Sequence, residues 1–133
     1  AKCGIQIEVQ REPADGYWSD VWRKKPFVVA SWGGRPTANI MLTTAYKSDA
    51  AYNDTHWVRP AFDQLLVAAR GELDLAKRKQ MYHDMQLMIH EDGGALIAMF
   101  YDYIDAARAN VGGYEPGNFA LSGCRAAERC WLA

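Results

Sequence analysis

The sequence predicts an α/β fold: a short mixed sheet packed by helices and carrying an α-helical hairpin. Three observations predict it. An alternating segment, Ile5–Val9, and a continuous apolar run, Phe27–Trp32, flank a short stretch of helical periodicity. Two further helical patterns follow one another between Pro60 and Ile89, broken at Gly71. A second apolar run, Ala95–Tyr101, then reads as a third strand. The 133 residues suffice for one domain that buries roughly two-thirds of the surface its unfolded chain would expose, so a single α/β unit spanning 1–133 is expected.

In chain order, Lys2-Cys3-Gly4 reads as the end of a helix closed by a left-handed glycine, with the first strand starting at once. Ile5, Ile7 and Val9 alternate with polar residues, which gives that strand one buried face. Pro13 and Gly16 break the chain. Tyr17, Trp18, Val21 and Trp22 then recur at helical offsets until Lys24-Lys25-Pro26, so a short helix with an aromatic face is expected. Strand, helix and strand in so few residues form a βαβ unit with parallel strands, and ligands of open α/β sheets lie beyond the carboxyl ends of such strands. Trp32, Gly33, Gly34 and Arg35 fall there. Thr37–Trp57 has weak periodicity and is expected to be mostly irregular, with one helical turn. Tyr46, Asn53 and Trp57 are candidate contacts because long irregular segments often carry function. Pro60 opens the first hairpin helix, whose inner stripe is Phe62, Leu65, Leu66 and Ala69. Asp74 caps the second, whose stripe is Met81, Tyr82, Met85, Met88 and Ile89, ending at Gly93-Gly94. A short polar helix is expected around Arg125–Arg129, after turns at Gly112-Gly113 and Pro116-Gly117.

Lys and Arg number 15 against 16 Asp and Glu, for a net charge of -1, and neither sign forms a long block. Nucleic acid and anionic membranes need a basic face, so neither is an expected partner. No apolar run is long enough to span a bilayer, and Ala1-Lys2-Cys3-Gly4 has neither an initiator Met nor a signal-peptide core, so the chain reads as part of a longer protein. The cysteines are Cys3, Cys124 and Cys130; an odd count leaves one unpaired, and Cys124 with Cys130 is a possible bridge in an oxidising compartment. His56, His83 and His90 do not stand at zinc-ligand spacing to a cysteine pair, and no metal or other cofactor is expected. No nucleophile with a base and no paired carboxylates are legible; Asp102 and Asp105 are explained as well by a solvated edge, so the chain is not expected to be an enzyme.

Arg59-Pro60-Ala61-Phe62-Asp63-Gln64-Leu65-Leu66, Asp74-Leu75-Ala76-Lys77-Arg78, and Tyr82 with Gln86 and Ile89 carry a resemblance. In order and spacing they resemble the dipeptide/oligopeptide-type, family 5 solute-binding proteins of bacterial ABC importers. Those proteins have a Phe-Asp-x-Leu-Leu helix, an Asp-x-Ala-Lys-Arg turn, a Tyr-x-x-x-Gln-x-x-Ile helix and then an apolar strand. The resemblance runs from about Gly4 to Tyr101. It implies a periplasmic location and part of the carboxy-terminal lobe of a type II (cluster C) periplasmic-binding-protein fold. It also implies a missing N-terminal lobe, a peptide or small-molecule solute in the cleft between the lobes, and an ABC permease as recipient.

One departure stands out. Family members resemble one another in placing acidic residues just after the Trp at the strand end, where one pairs with a ligand ammonium. Here the segment reads Trp32-Gly33-Gly34-Arg35-Pro36-Thr37, with no carboxylate before Asp49. An Arg in that loop suits a carboxylate or phosphate through two parallel hydrogen bonds, so an acidic solute such as an opine or a sugar acid is the expectation, with Arg35 as a contact. Trp32 would line the cleft, and Gly33 and Gly34 would let backbone amides approach the ligand. The alternative is a free-standing, non-catalytic α/β interaction module. Self-association of the isolated chain is expected under either reading, because cut sheet edges and apolar patches associate.

Overall fold

The computed structural model describes residues 3–102, 104–115 and 125–133. They contain four α-helices, one π-helical turn and a two-stranded sheet, a small mixed α/β arrangement that divides into two compact units, Ala1–Ala95 and Leu96–Ala133.

The first unit is built on the helical hairpin. Helix α1 (Ala38–Ala45) is followed by α2 (Pro60–Gly71) and α3 (Leu75–Asp92). Pro60 occupies the first turn of α2, where its missing N–H costs nothing. Asp74 caps α3, its carboxylate accepting from the backbone N–H of Ala76 at 2.8 Å and of Lys77 at 3.1 Å. The other end closes where the Gly93 N–H donates to the Ile89 carbonyl at 2.8 Å and Gly94 turns left-handed at φ 73°. Phe62, Leu66, Ala69 and Met85 meet between the hairpin helices, and Leu42 of α1 and Trp57 complete the core. Phe62, Leu66 and Met85 are wholly enclosed. The stripes expected from periodicity are the ones buried, with Leu65, Met81, Tyr82, Met88 and Ile89 at the margin.

The segment before α2 is more ordered than expected. Thr37 caps α1, its Oγ1 accepting from the Ile40 N–H at 3.3 Å, and the helix runs for two turns, one more than its weak periodicity predicts. Asp63 of α2 accepts from the Ser48 backbone N–H, and Ser48 Oγ accepts from the Arg59 N–H, each at 3.0 Å. These bonds pin the 46–59 loop to the start of α2.

The expected sheet is corrected. Ile5–Val9, Phe27–Trp32 and Ala95–Tyr101 form no strands, and the parallel βαβ unit is absent from the described residues. A strand needs a neighbouring strand to pair with, and among the described residues none of the three is paired in a sheet. Most of their apolar side chains consequently face outward: Ile7 is 66% exposed, Val29 90% and Phe100 93%. The aromatic stretch between the first two is also corrected. Tyr17–Val21 makes one π-helical turn, closed by Trp22 N–H donating to Tyr17 O at 2.9 Å, and it buries Val21 while Trp18 stays exposed. Tyr17 ties the turn to the next segment by donating its O–H to the Val29 carbonyl at 2.6 Å.

In the second unit, β1 (Val111–Gly112) pairs antiparallel with β2 (Trp131–Leu132), Val111 opposite Leu132 and Gly112 opposite Trp131. Helix α4 (Ala126–Arg129) precedes β2, as the polar helix pattern predicted. Arg129 pairs with Glu115 at 2.9 Å, and Tyr114 donates to Asp105 at 2.6 Å. Cys124, with the bridge considered for it, and Pro116-Gly117 lie outside the described residues. No helix among the described residues is long and apolar enough to cross a membrane.

Candidate functional site

Five aromatic side chains are linked by ring contacts in the first unit, and two of them share one carboxylate. The indole N–H of Trp22 donates to Asp54 Oδ2 at 3.1 Å, and that of Trp32 donates to the same oxygen at 3.0 Å. Tyr52 lies between the two rings, its centroid 5.9 Å from Trp22 and 6.4 Å from Trp32. Trp18 meets Trp22 edge-on at 5.6 Å, and Tyr17 meets Trp18 at 5.1 Å. A half-buried indole needs an acceptor for its N–H, and a single carboxylate oxygen serves both tryptophans. Asp54 thereby fixes the end of the Phe27–Trp32 segment, which has no sheet to hold it.

Two guanidinium groups flank this cluster. Arg35 stacks over Trp32 at 5.9 Å and donates from Nη1 to the carbonyls of Gly33 at 2.9 Å and Gly34 at 3.3 Å. Its remaining N–H donors meet no carboxylate within 4.0 Å among the described residues. Arg23 stacks over Trp22 at 5.7 Å and donates to the Ala51 carbonyl, while its Nε is buried without a partner. Arg23 also adopts a left-handed backbone, φ 59°, uncommon for a residue with a side chain.

Gly33, half-buried, and Gly34, exposed, form a lip beside Trp32. Neither has a positive φ. A methyl group at Gly34 would meet nothing within 4 Å, and one at Gly33 would come no nearer than 3.6 Å to the Arg35 side chain. The chain itself therefore does not require glycine at either position.

The other predicted contacts separate from this lip. Asn53 is 3% exposed; its Nδ2 donates to the Trp57 carbonyl at 2.7 Å and to the Lys47 carbonyl at 3.4 Å, and its Oδ1 accepts from Thr55 at 3.0 Å. Trp57 is a core residue, edge-on to Phe62 at 5.0 Å, with its N–H donated to Asp92 at 3.1 Å. Both side chains serve the packing of the 46–59 loop, and their donors are already engaged. Tyr46 ends α1 at the margin of the core. Burial raises its phenol pKa above the ordinary value, and the charge of Asp54 adds to the rise.

Trp32, Gly33, Gly34 and Arg35 thus form one surface lip, with Tyr46 within electrostatic reach through Asp54. Asp54, Trp22, Tyr52 and Arg23 belong to the same cluster and were not foreseen. Three tryptophans within fifteen positions were a signal, since each indole N–H that leaves water must find an acceptor. The cluster offers an aromatic face, two backbone amides without side chains over them, and an uncommitted guanidinium edge, a set suited to binding a small polar molecule. Compared with models of known protein families, with curated proteins and with solved structures, the chain gives no match.

Proposed function

We propose that this chain holds a solute for an ABC importer, as the carboxy-terminal part of a periplasmic, two-lobed solute-binding protein of type II, cluster C architecture. The observation that carries the proposal is the Gly33-Gly34 lip: two consecutive glycines that no turn or internal contact requires, next to a pinned tryptophan and an Arg with free donors. Glycine costs backbone entropy, and its use where the chain does not need it is explained by something outside that approaches closely. The motif series on α2 and α3 supports the family reading. The three apolar segments without sheet neighbours support a lobe whose remaining strands come from elsewhere. With Arg35 at the lip, the solute class is acidic: an opine, a sugar acid or a related carboxylate.

Calorimetry on the two-lobed protein tests this, using short peptides, opines and sugar acids as titrants. An acidic compound is expected to bind one to one, and Arg35→Ala and Gly34→Ala each to weaken it about tenfold or more. Absence of binding by every class, or unchanged affinity in both variants, overturns the proposal. The exposed apolar segments also favour a second reading, a free-standing module that self-associates through them. The encoding gene separates the two: an open reading frame beginning close to Ala1 favours the module, and several hundred upstream residues opening with a signal peptide favour the binding protein.

A further inference from the structure

A groove of about 360 Å³ lies where α2 ends and α3 begins, lined by Thr37, Ala38, Asn39, Ala69, Arg70, Arg78 and Tyr82. It shares no residue with the Trp32 lip. Arg70, from the last turn of α2, and Arg78, from the first turn of α3, both line it, and no carboxylate does. Among the described residues neither Arg70 nor Arg78 pairs with a carboxylate within 4.0 Å. Arg70 is steadied by donating to Thr43 Oγ1 at 2.7 Å, and Arg78 by donating to the Glu72 carbonyl at 3.3 Å. Each bond uses one of the five N–H donors a guanidinium carries. Tyr82, also in the lining, accepts from Asn39 Nδ2 at 3.1 Å and keeps its own O–H proton to donate.

We infer that this groove is a binding site for the phosphate group of a small molecule. Two cationic side chains line one groove that carries no carboxylate, and a tetrahedral oxyanion bound there can accept from both guanidinium groups and the phenol. The volume lies at the lower end of small-molecule sites, roughly 300–1,000 Å³, so it admits a phosphate with a short organic substituent. The site stands independently of the solute-binding proposal, because Arg35 takes no part in it.

The test titrates the full chain with inorganic phosphate and, separately, with glycerol 3-phosphate in low-salt buffer, by calorimetry. Saturable binding that weakens with added salt is expected. Arg70→Gln and Arg78→Gln are each expected to reduce affinity about tenfold or more, and Arg78→Lys, which keeps the charge without the fork, to reduce it less. Tighter binding of the ester identifies a phosphorylated metabolite as the ligand; equal or weaker binding identifies free phosphate. Arg70 is exposed on a helix end, so Arg70→Gln reports on the site even where Arg78→Gln perturbs the fold, as far-UV circular dichroism will show. No binding of either compound, or wild-type affinity in both Gln variants, overturns the inference.

Discussion

Asp54 shows how much one side chain decides in a unit whose described residues form no sheet. Asp54→Ala would leave the N–H groups of Trp22 and Trp32 without their acceptor, at a cost of about 1–3 kcal/mol for each group that water cannot reach. Asp54→Asn keeps an acceptor oxygen and should cost less; urea denaturation followed by tryptophan fluorescence measures both, and equal stability of Asp54→Ala and wild type would refute the pinning role. Gly34→Ala should behave oppositely. With open space around the position and no positive φ, it should leave folding stability unchanged or raise it by about 0.4–1 kcal/mol. A clear loss of stability would mean that the glycine serves the fold, and the lip would lose its functional reading. Asp92 gives the pH dependence. The Trp57 N–H bond is the largest cause that lowers its pKa; burial opposes it, and the bond and charge of Arg59 lower it further, so the net direction is down. A depressed carboxylate contributes stability that is present above the unfolded value near 3.8 and lost as pH falls through the lower folded value. Asp92→Asn should therefore narrow the stability difference between neutral and strongly acid pH, and an unaltered profile in denaturation across that range would exclude the linkage. Trp57 and Asn53 could be singled out from sequence but not assigned. A buried amide closing a loop and a solvent-facing ligand contact look identical until their partners are known.

At the scale of elements, the hairpin was legible and the sheet was not, for one physical reason. A helix satisfies its own backbone, so the periodicity of Phe62, Leu66 and Ala69, with Asp74 as cap and Gly93 as stop, contains nearly all the information needed to place it. A strand is defined by its neighbour, and the alternation of Ile5, Ile7 and Val9 indicates an extended preference without saying what lies alongside. The π turn at Tyr17–Val21 was read as an ordinary helix because five residues are too few to distinguish the two periods. The hairpin should consequently hold most of the chain's stability. Leu66→Ala or Met85→Ala is expected to cost about 2–5 kcal/mol, because both side chains are wholly enclosed between the helices. Asp74→Ala should cost about 0.5–2 kcal/mol by removing two cap hydrogen bonds. Chemical denaturation followed by far-UV circular dichroism orders the three, and a cap loss exceeding the core losses would contradict this assignment of the core.

At the scale of the whole molecule, cohesion is uneven, and this has a consequence for proteolysis. Buried contacts concentrate around Leu42, Trp57 and the hairpin, whereas Ile5–Val9, Phe27–Ala30 and Leu96–Tyr101 leave apolar side chains in water. A protease must draw several residues of extended backbone into its cleft. It cuts first where local opening costs least, and segments without ladder hydrogen bonds or enclosed side chains open most easily. Thermolysin, which cleaves before apolar residues, should therefore cut the dilute chain early at Ile7, Val9, Phe27, Leu96 and Phe100. A fragment close to Trp32–Gly94 should persist longer, because Leu42, Phe62, Leu66 and Met85 are buried and most of its other apolar residues lie in hydrogen-bonded helices, with Leu73, 89% exposed between α2 and α3, as its weakest point. Mass spectrometry of a time course identifies the order, and first cuts inside α2 or α3 would show that the hairpin is not the stable centre. The same digestion of a longer protein containing this chain discriminates between the ways those segments are covered. Strands supplied by another part of the polypeptide would protect them at any concentration, whereas self-association would protect them only as concentration rises. Sensitivity that persists in the longer protein and at high concentration would leave the apolar segments without a partner, and the two-lobed proposal would lose the support it draws from them.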